Sequence, residues 1–223
     1  MEIAALYLEG RERLLALAVD IDDQAAASKV PTCPLWTVKD VYAHQSGAAA
    51  DILAGRLEGV ATDAWTGRQI AERVDWPFSK VVAELAEAGA QLDPILVEVG
   101  DAIDKRLVID QWTHEQDVRG ALDRPGGRQA AVVAYAGEVM LRGFGRGWAE
   151  RGLAPVRVVA TSREWTLGEG DPVATLRVDD YELVRILVGR RSRAQVLALW
   201  EGDGEAFVDH LVAFEHAAAD IVE

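Results

Sequence analysis

The apolar residues of this chain change their period once, and the change divides the chain in two. From residue 2 to about 151 they recur at intervals of three and four, the spacing of helices that bury one face. Ile3, Leu6, Tyr7, Leu14, Leu17 and Ile21 mark the first such stretch. After the prolines of "KVPTCPLW", Thr37 is placed to cap a second helix from Val38 to about Leu57, with Asp40 as an acidic form of the capping box. "AWTGRQIAERVDW" predicts a short helix. Pro77 opens a long one through Val81, Leu85, Leu92 and Leu96, which Pro94 is expected to kink or end. Two more are predicted over 103–122 and 128–151. Beyond "RGLAP" the pattern shortens. "VRVVAT", "EWTLG" and "VATLRV" are rich in β-branched residues, are separated by Gly, Asp and Pro, and read as a small antiparallel sheet. Helical spacing returns in "DYELVRILVG", "SRAQVLALW" and "EAFVDHLVAFEHAAADIV". The expectation is a mainly α fold with an α+β C-terminal part: a helical bundle with a connecting helix over 1–151, then a small α+β domain over 152–223.

The charge balance narrows the partners. A net charge of −14 repels nucleic acid from the average surface, and only "GRRSR" is locally basic. No apolar run approaches the length of a membrane span, and the start turns to charged residues too early for a signal peptide. The expectation is a cytoplasmic protein, monomer or homodimer, with no nucleic-acid or membrane partner. Its single cysteine, Cys33, rules out an internal disulfide framework and any CxxC motif.

Against that background two helices carry polar residues on their inner faces. Val41, His44, Ala48 and Asp51 follow the three–four–three spacing of a bundle seam. In "DQWTHEQD", Asp110, His114 and Asp117 share one stripe with Leu107 and Ala121. Burying such groups is costly unless they are paired or bound to a metal. Two imidazoles and a carboxylate make a three-ligand set with a fourth position open, the pattern of catalytic zinc. The expected ligands are His44, Asp110 and His114, with Asp117 and Asp51 as acceptors for an imidazole N–H. The plain alternative is that His and Asp four apart form only an ion pair on the helix.

"VPTCPLWTVKDVYAHQSGAAADIL" resembles the opening signature of the mycothiol-dependent maleylpyruvate isomerase family, roughly C-P-G-W-T-V-x-D-x-x-x-H. "DQWTHEQDVRGALDRPG" is similar to that family's second motif, an acid four residues before a His, and "DYELVRILVGRRSRAQV" resembles its C-terminal domain. The resemblance implies a DinB-like four-helix bundle and a C-terminal domain akin to sterol carrier proteins. It implies a divalent metal, usually zinc, on His44, Asp110 and His114, and mycothiol as cosubstrate. Asp110 stands where the family usually has Glu, and "CPLW" replaces "CPGW".

A metal lowers the pKa of a coordinated thiol, so such a site could direct a thiolate at a small electrophile for S-transfer or cis–trans isomerisation. An anionic substrate or thiol would need a cation, and Arg119, Arg190 and Arg193 are the candidates, Arg being suited to bidentate carboxylate recognition. Two other functions remain open at this level: a metal-dependent hydrolase on the same bundle, and a non-enzymatic DinB-like binding or stress protein whose polar seam only fixes helix packing. His210 and His216, six apart among acids, read as surface residues.

Overall fold

A computed structural model describes residues 2–223. The chain divides into two compact units, up to Pro125 and from Gly126 onward.

The first unit is helical. Its helices are α1 (Ile3–Ala18), α2 (Asp23–Ala26), α3 (Val38–Leu53), α4 (Asp63–Ala71), α5 (Phe78–Val99) and α6 (Arg106–Ala121). α3 packs along α5 and α4, and α1 packs on α5 and α6. Leu14, Val38, Val41, Tyr42, Val81, Leu85 and Val118 are buried together in its core. Burying each Val or Leu contributes about 1.5–3 kcal/mol, so the apolar stripes of the helices hold this unit together. The Tyr42 hydroxyl, deep in the same core, donates to the Leu14 carbonyl at 2.8 Å.

Local signals set the ends of these helices. Thr37 caps α3 in a capping box: its hydroxyl accepts from the Asp40 N–H, and the Asp40 carboxylate accepts from the Thr37 N–H. Pro94 does not end α5, which continues to Val99. Between α2 and α3 the "KVPTCPLW" stretch forms a hairpin of two antiparallel strands, β1 (Lys29–Val30) and β2 (Cys33–Thr37). Gly47 sets the distance between α3 and α4. A Cβ there would lie 2.6 Å from Gln69 Cβ, so only glycine lets α4 come this close.

The second unit contains α7 (Ala131–Gly145), β3 (Val156–Val159), β4 (Glu164–Leu167), β5 (Ala174–Arg177), α8 (Asp180–Leu187), α9 (Arg193–Leu197) and β6 (Trp200–Glu201). The division after Pro125, rather than near 151, puts α7 in this unit. It packs on α8, with Gly137 against Leu183 and Val184, and its Leu141 joins the core formed by Val156, Val158, Leu176 and Ile186. The sheet has the order β4-β3-β5-β6 and is mixed rather than antiparallel throughout: β3 pairs antiparallel with β4 but parallel with β5. β-Branched composition marks strands but carries no information about their relative direction.

The helix expected over "EAFVDHLVAFEHAAADIV" is absent apart from a 3₁₀ turn, Val208–His210. Several of its backbone groups are taken up by tertiary partners. The Ala213 N–H donates to the Leu187 carbonyl and the Ala217 N–H to the Arg191 carbonyl. Gln195 both donates to the Ile221 carbonyl and accepts from the Ile221 N–H. The Glu223 carboxylate lies buried on Arg185, Arg191 and the Tyr181 hydroxyl. These contacts outweigh local helix propensity. His210 and His216 are half-buried here rather than at the surface.

Candidate metal centre

α3 and α6 touch, and their polar seams face each other. His44 Nε2 lies 3.2 Å from Asp110 Oδ2, and His114 Nε2 lies 3.4 Å from Asp110 Oδ1. The two imidazole rings are 5.1 Å apart, edge to face. One atom from each of His44, Asp110 and His114 lies within 4.8 Å of the other two. Bonds of about 2.1 Å to a tetrahedral ion place its ligands about 3.4 Å apart, close to both measured N···O separations. The side chain of Asp110, shorter than the Glu usual in the resembled motif, therefore spans both rings.

The other nitrogen of each ring is held by an acceptor. His44 Nδ1 is 2.8 Å from Gln69 Oε1. The Gln69 amide can turn only one way, because its Nε2 donates at 2.8 Å to Asp51, an ionised acceptor. Burial opposes the Asp51 charge, yet hydrogen bonds from Gln69, Arg68 and Arg56 hold its carboxyl below the usual range. Asp51 thus reaches His44 through Gln69, not directly as the seam spacing suggested. His114 Nδ1 is 3.0 Å from Asp117 Oδ2, the direct contact expected for that residue, and Thr32 Oγ1 donates to Asp117 Oδ1 at 2.8 Å. Both Nδ1 atoms face acceptors and both Nε2 atoms face Asp110, so a proton on Nε2 or a divalent ion supplies the positive charge this arrangement needs.

The titration behaviour has the same cause. Burial disfavours the charged His114 imidazole, but Asp110 and Asp117 outweigh it and lift its pKa from 6.5 to about 9. Burial likewise works against an ionised Asp110, yet His114 and His44 hold its carboxyl well below the usual range. The side chains of His44 and His114 are buried, whereas that of Asp110 is 42% exposed, so the group opens to solvent on the Asp110 side. Gln45 Nε2 donates to Asp110 Oδ2 at 2.8 Å and steadies it there. Trp36 covers the rings, 5.5 Å from His114 and 5.6 Å from His44, and Trp65 meets His44 edge-on.

Cys33, His114 and Asp117 form a second set of donor atoms with the same mutual spacing. The chemistry of both sets, imidazole with carboxylate and, in one, a thiol, fits a divalent metal ion.

The arginines proposed from sequence each have protein partners. Arg119 Nε donates to Glu115 at 2.9 Å and its Nη1 to the Arg124 carbonyl. In the second unit Arg190 donates to the Val188 carbonyl, and Arg193 pairs with Asp209 and Glu205. Sequence spacing missed Gln69, Gln45 and Thr32. The one available signal for Gln69 is its position four residues after Trp65, on the buried face of α4. No family model, curated protein or solved structure matches the chain. Among the described residues no helix is long and apolar enough to cross a membrane.

Proposed function

We propose that this protein is a metal- and thiol-dependent enzyme of the mycothiol-dependent maleylpyruvate isomerase family. On this reading the helical unit is a DinB-like bundle, the second unit is a sterol-carrier-like domain, and zinc is held by His44, Asp110 and His114. The reaction is S-transfer to, or cis–trans isomerisation of, a small electrophilic substrate. The observation that carries the reading is the approach of two Nε2 atoms to one carboxylate while each Nδ1 rests on its own acceptor.

A bound divalent ion supplies one thing here: it lowers the pKa of a coordinated thiol, so that thiolate is available at neutral pH. The chain's residues do the rest. Gln69 and Asp117 fix the tautomer and plane of the two imidazoles. Gln45 keeps Asp110 turned toward them. Trp36 covers the rings and shields them from water, while the half-exposed Asp110 marks the side from which thiol and electrophile enter.

The test combines metal analysis of protein purified without an affinity tag with a turnover assay on a panel of electrophiles, with and without mycothiol. One divalent ion per chain, with turnover that requires the thiol and is lost in His44→Ala, is the expected result. Turnover of a loaded chain without thiol would replace this reading with a hydrolase. A chain that neither holds metal nor turns over any substrate would be a binding protein.

A further inference from the structure

His114 has a carboxylate at each ring nitrogen. Asp110 lies at Nε2 and Asp117 at Nδ1. Whichever nitrogen binds an ion, the other therefore has an acceptor for its N–H, the condition that orients a ligating histidine. On the Nδ1 side the third donor is a thiol. Cys33 Sγ is 3.6 Å from Asp117 Oδ2, the same oxygen that His114 Nδ1 faces at 3.0 Å. For a tetrahedral ion with bonds of about 2.3 Å to sulfur and about 2.1 Å to oxygen, the S···O separation is about 3.6 Å. Thr32 occupies the other oxygen of Asp117 and holds the carboxylate in this orientation.

We propose that Cys33, Asp117 and His114 Nδ1 form a second cation site, selective for thiophilic divalent ions and exclusive of the site on His44, Asp110 and His114 Nε2. Two protons, one on sulfur and one on Nδ1, point at a single carboxylate oxygen. A divalent ion takes their place: the thiol proton and the Nδ1 proton of the imidazolium leave to solvent, while the proton on Nε2 stays, hydrogen-bonded to Asp110. Thiolate, carboxylate and neutral imidazole sum to −2, so a divalent ion makes this site neutral. With one carboxylate, the first site keeps a net charge of +1 when loaded. Asp117 is buried and Cys33 half-buried, whereas Asp110 is half-exposed, so the neutral assembly has the buried carboxylate and the charged one the exposed carboxylate. Neutral imidazole has one lone pair, so His114 serves one site at a time. A thiophilic ion at Cys33 therefore disables the first site, and zinc there is displaced by softer ions such as cadmium.

The experiment titrates Cd²⁺ into the full chain, following the thiolate-to-cadmium charge-transfer band, in wild type, His44→Ala, Asp110→Asn and Cys33→Ser. The band should saturate at one equivalent in His44→Ala and Asp110→Asn and be missing in Cys33→Ser. A variant-free arm follows alkylation of Cys33 by iodoacetamide, which Cd²⁺ should slow at least tenfold in wild type. A band absent from the first three proteins, together with alkylation that Cd²⁺ leaves unchanged, overturns the proposal. The failure of the three-ligand reading looks different: in a Cys33→Ser background, which removes the second site, zinc content survives His44→Ala, while the cadmium band of the wild type persists.

Discussion

Gln69→Ala tests whether the chain from Asp51 to His44 governs the metal site. Gln69 is fully buried and makes two hydrogen bonds of 2.8 Å, one to each partner. The substitution leaves the Nδ1–H of a buried imidazole without an acceptor, which costs about 1–3 kcal/mol of stability. It also frees His44 to adopt the tautomer with the proton on Nε2, which cannot bind an ion. Removing such an outer partner weakens metal affinity about 10- to 100-fold. At about 1.4 kcal/mol per tenfold change, this corresponds to about 1.4–2.7 kcal/mol. Asp51 keeps Arg56 and Arg68, so the surrounding ion pairs should hold. The assay is zinc competition against a chelator of known affinity at pH 7, paired with thermal unfolding of the metal-free protein. A melting point that falls while zinc affinity stays within twofold of wild type would refute the argument, because Gln69 would then be packing and nothing more.

Other expectations follow from the same geometry. The pKa of His114 is raised to about 9 in the folded metal-free protein, so its stabilising contribution is complete below about pH 6.5 and is lost as pH rises through 9. Melting temperature in chelator should fall across that window. Zinc affinity should rise over the same range, about a hundredfold from pH 7 to 9, because the ion displaces an imidazole proton. Asp110 and Asp51 are depressed, so their contribution is present above the ordinary carboxylate pKa and is lost on acidification below it, seen as acid unfolding. Gly47→Ala sets a methyl 2.6 Å from Gln69 Cβ, which should cost about 1–3 kcal/mol in denaturant melts and loosen the zinc site. Glu223→Ala removes the carboxylate that buried Arg185 and Arg191 share and should cost about 3–5 kcal/mol.

The sequence made the helices legible because each buries a single stripe, and it made His44, Asp110 and His114 legible because they break such stripes with polar groups. The approach of these three residues needed only the registers of α3 and α6, which Thr37 and the apolar spacing define. Gln69, Gln45 and Thr32 were hidden because hydrogen-bond partners drawn from different elements leave no periodic trace. Asp51 was read in the right place but one link too close to His44. Strand direction in the mixed sheet was hidden for a related reason: alternation within a strand is the same whichever way its neighbour runs. The C-terminal stretch reads as a helix by local spacing, and only its distant partners on α8 and α9 show why it is not one. Arg119, Arg190 and Arg193 were legible as charges, whereas their engagement with Glu115, the Val188 carbonyl and Asp209 was not.

The hairpin between α2 and α3 supplies Thr32, Cys33 and Trp36 to the metal centre, while the helices supply both imidazoles and both carboxylates. The two contributions are separable in inheritance. On the proposed reading, a handful of codons on one short connection can retune which ions are admitted and which molecules fit beneath the indole, without disturbing the scaffold that keeps the ligands in place. Descendants of this chain can diversify their chemistry by editing that ribbon alone.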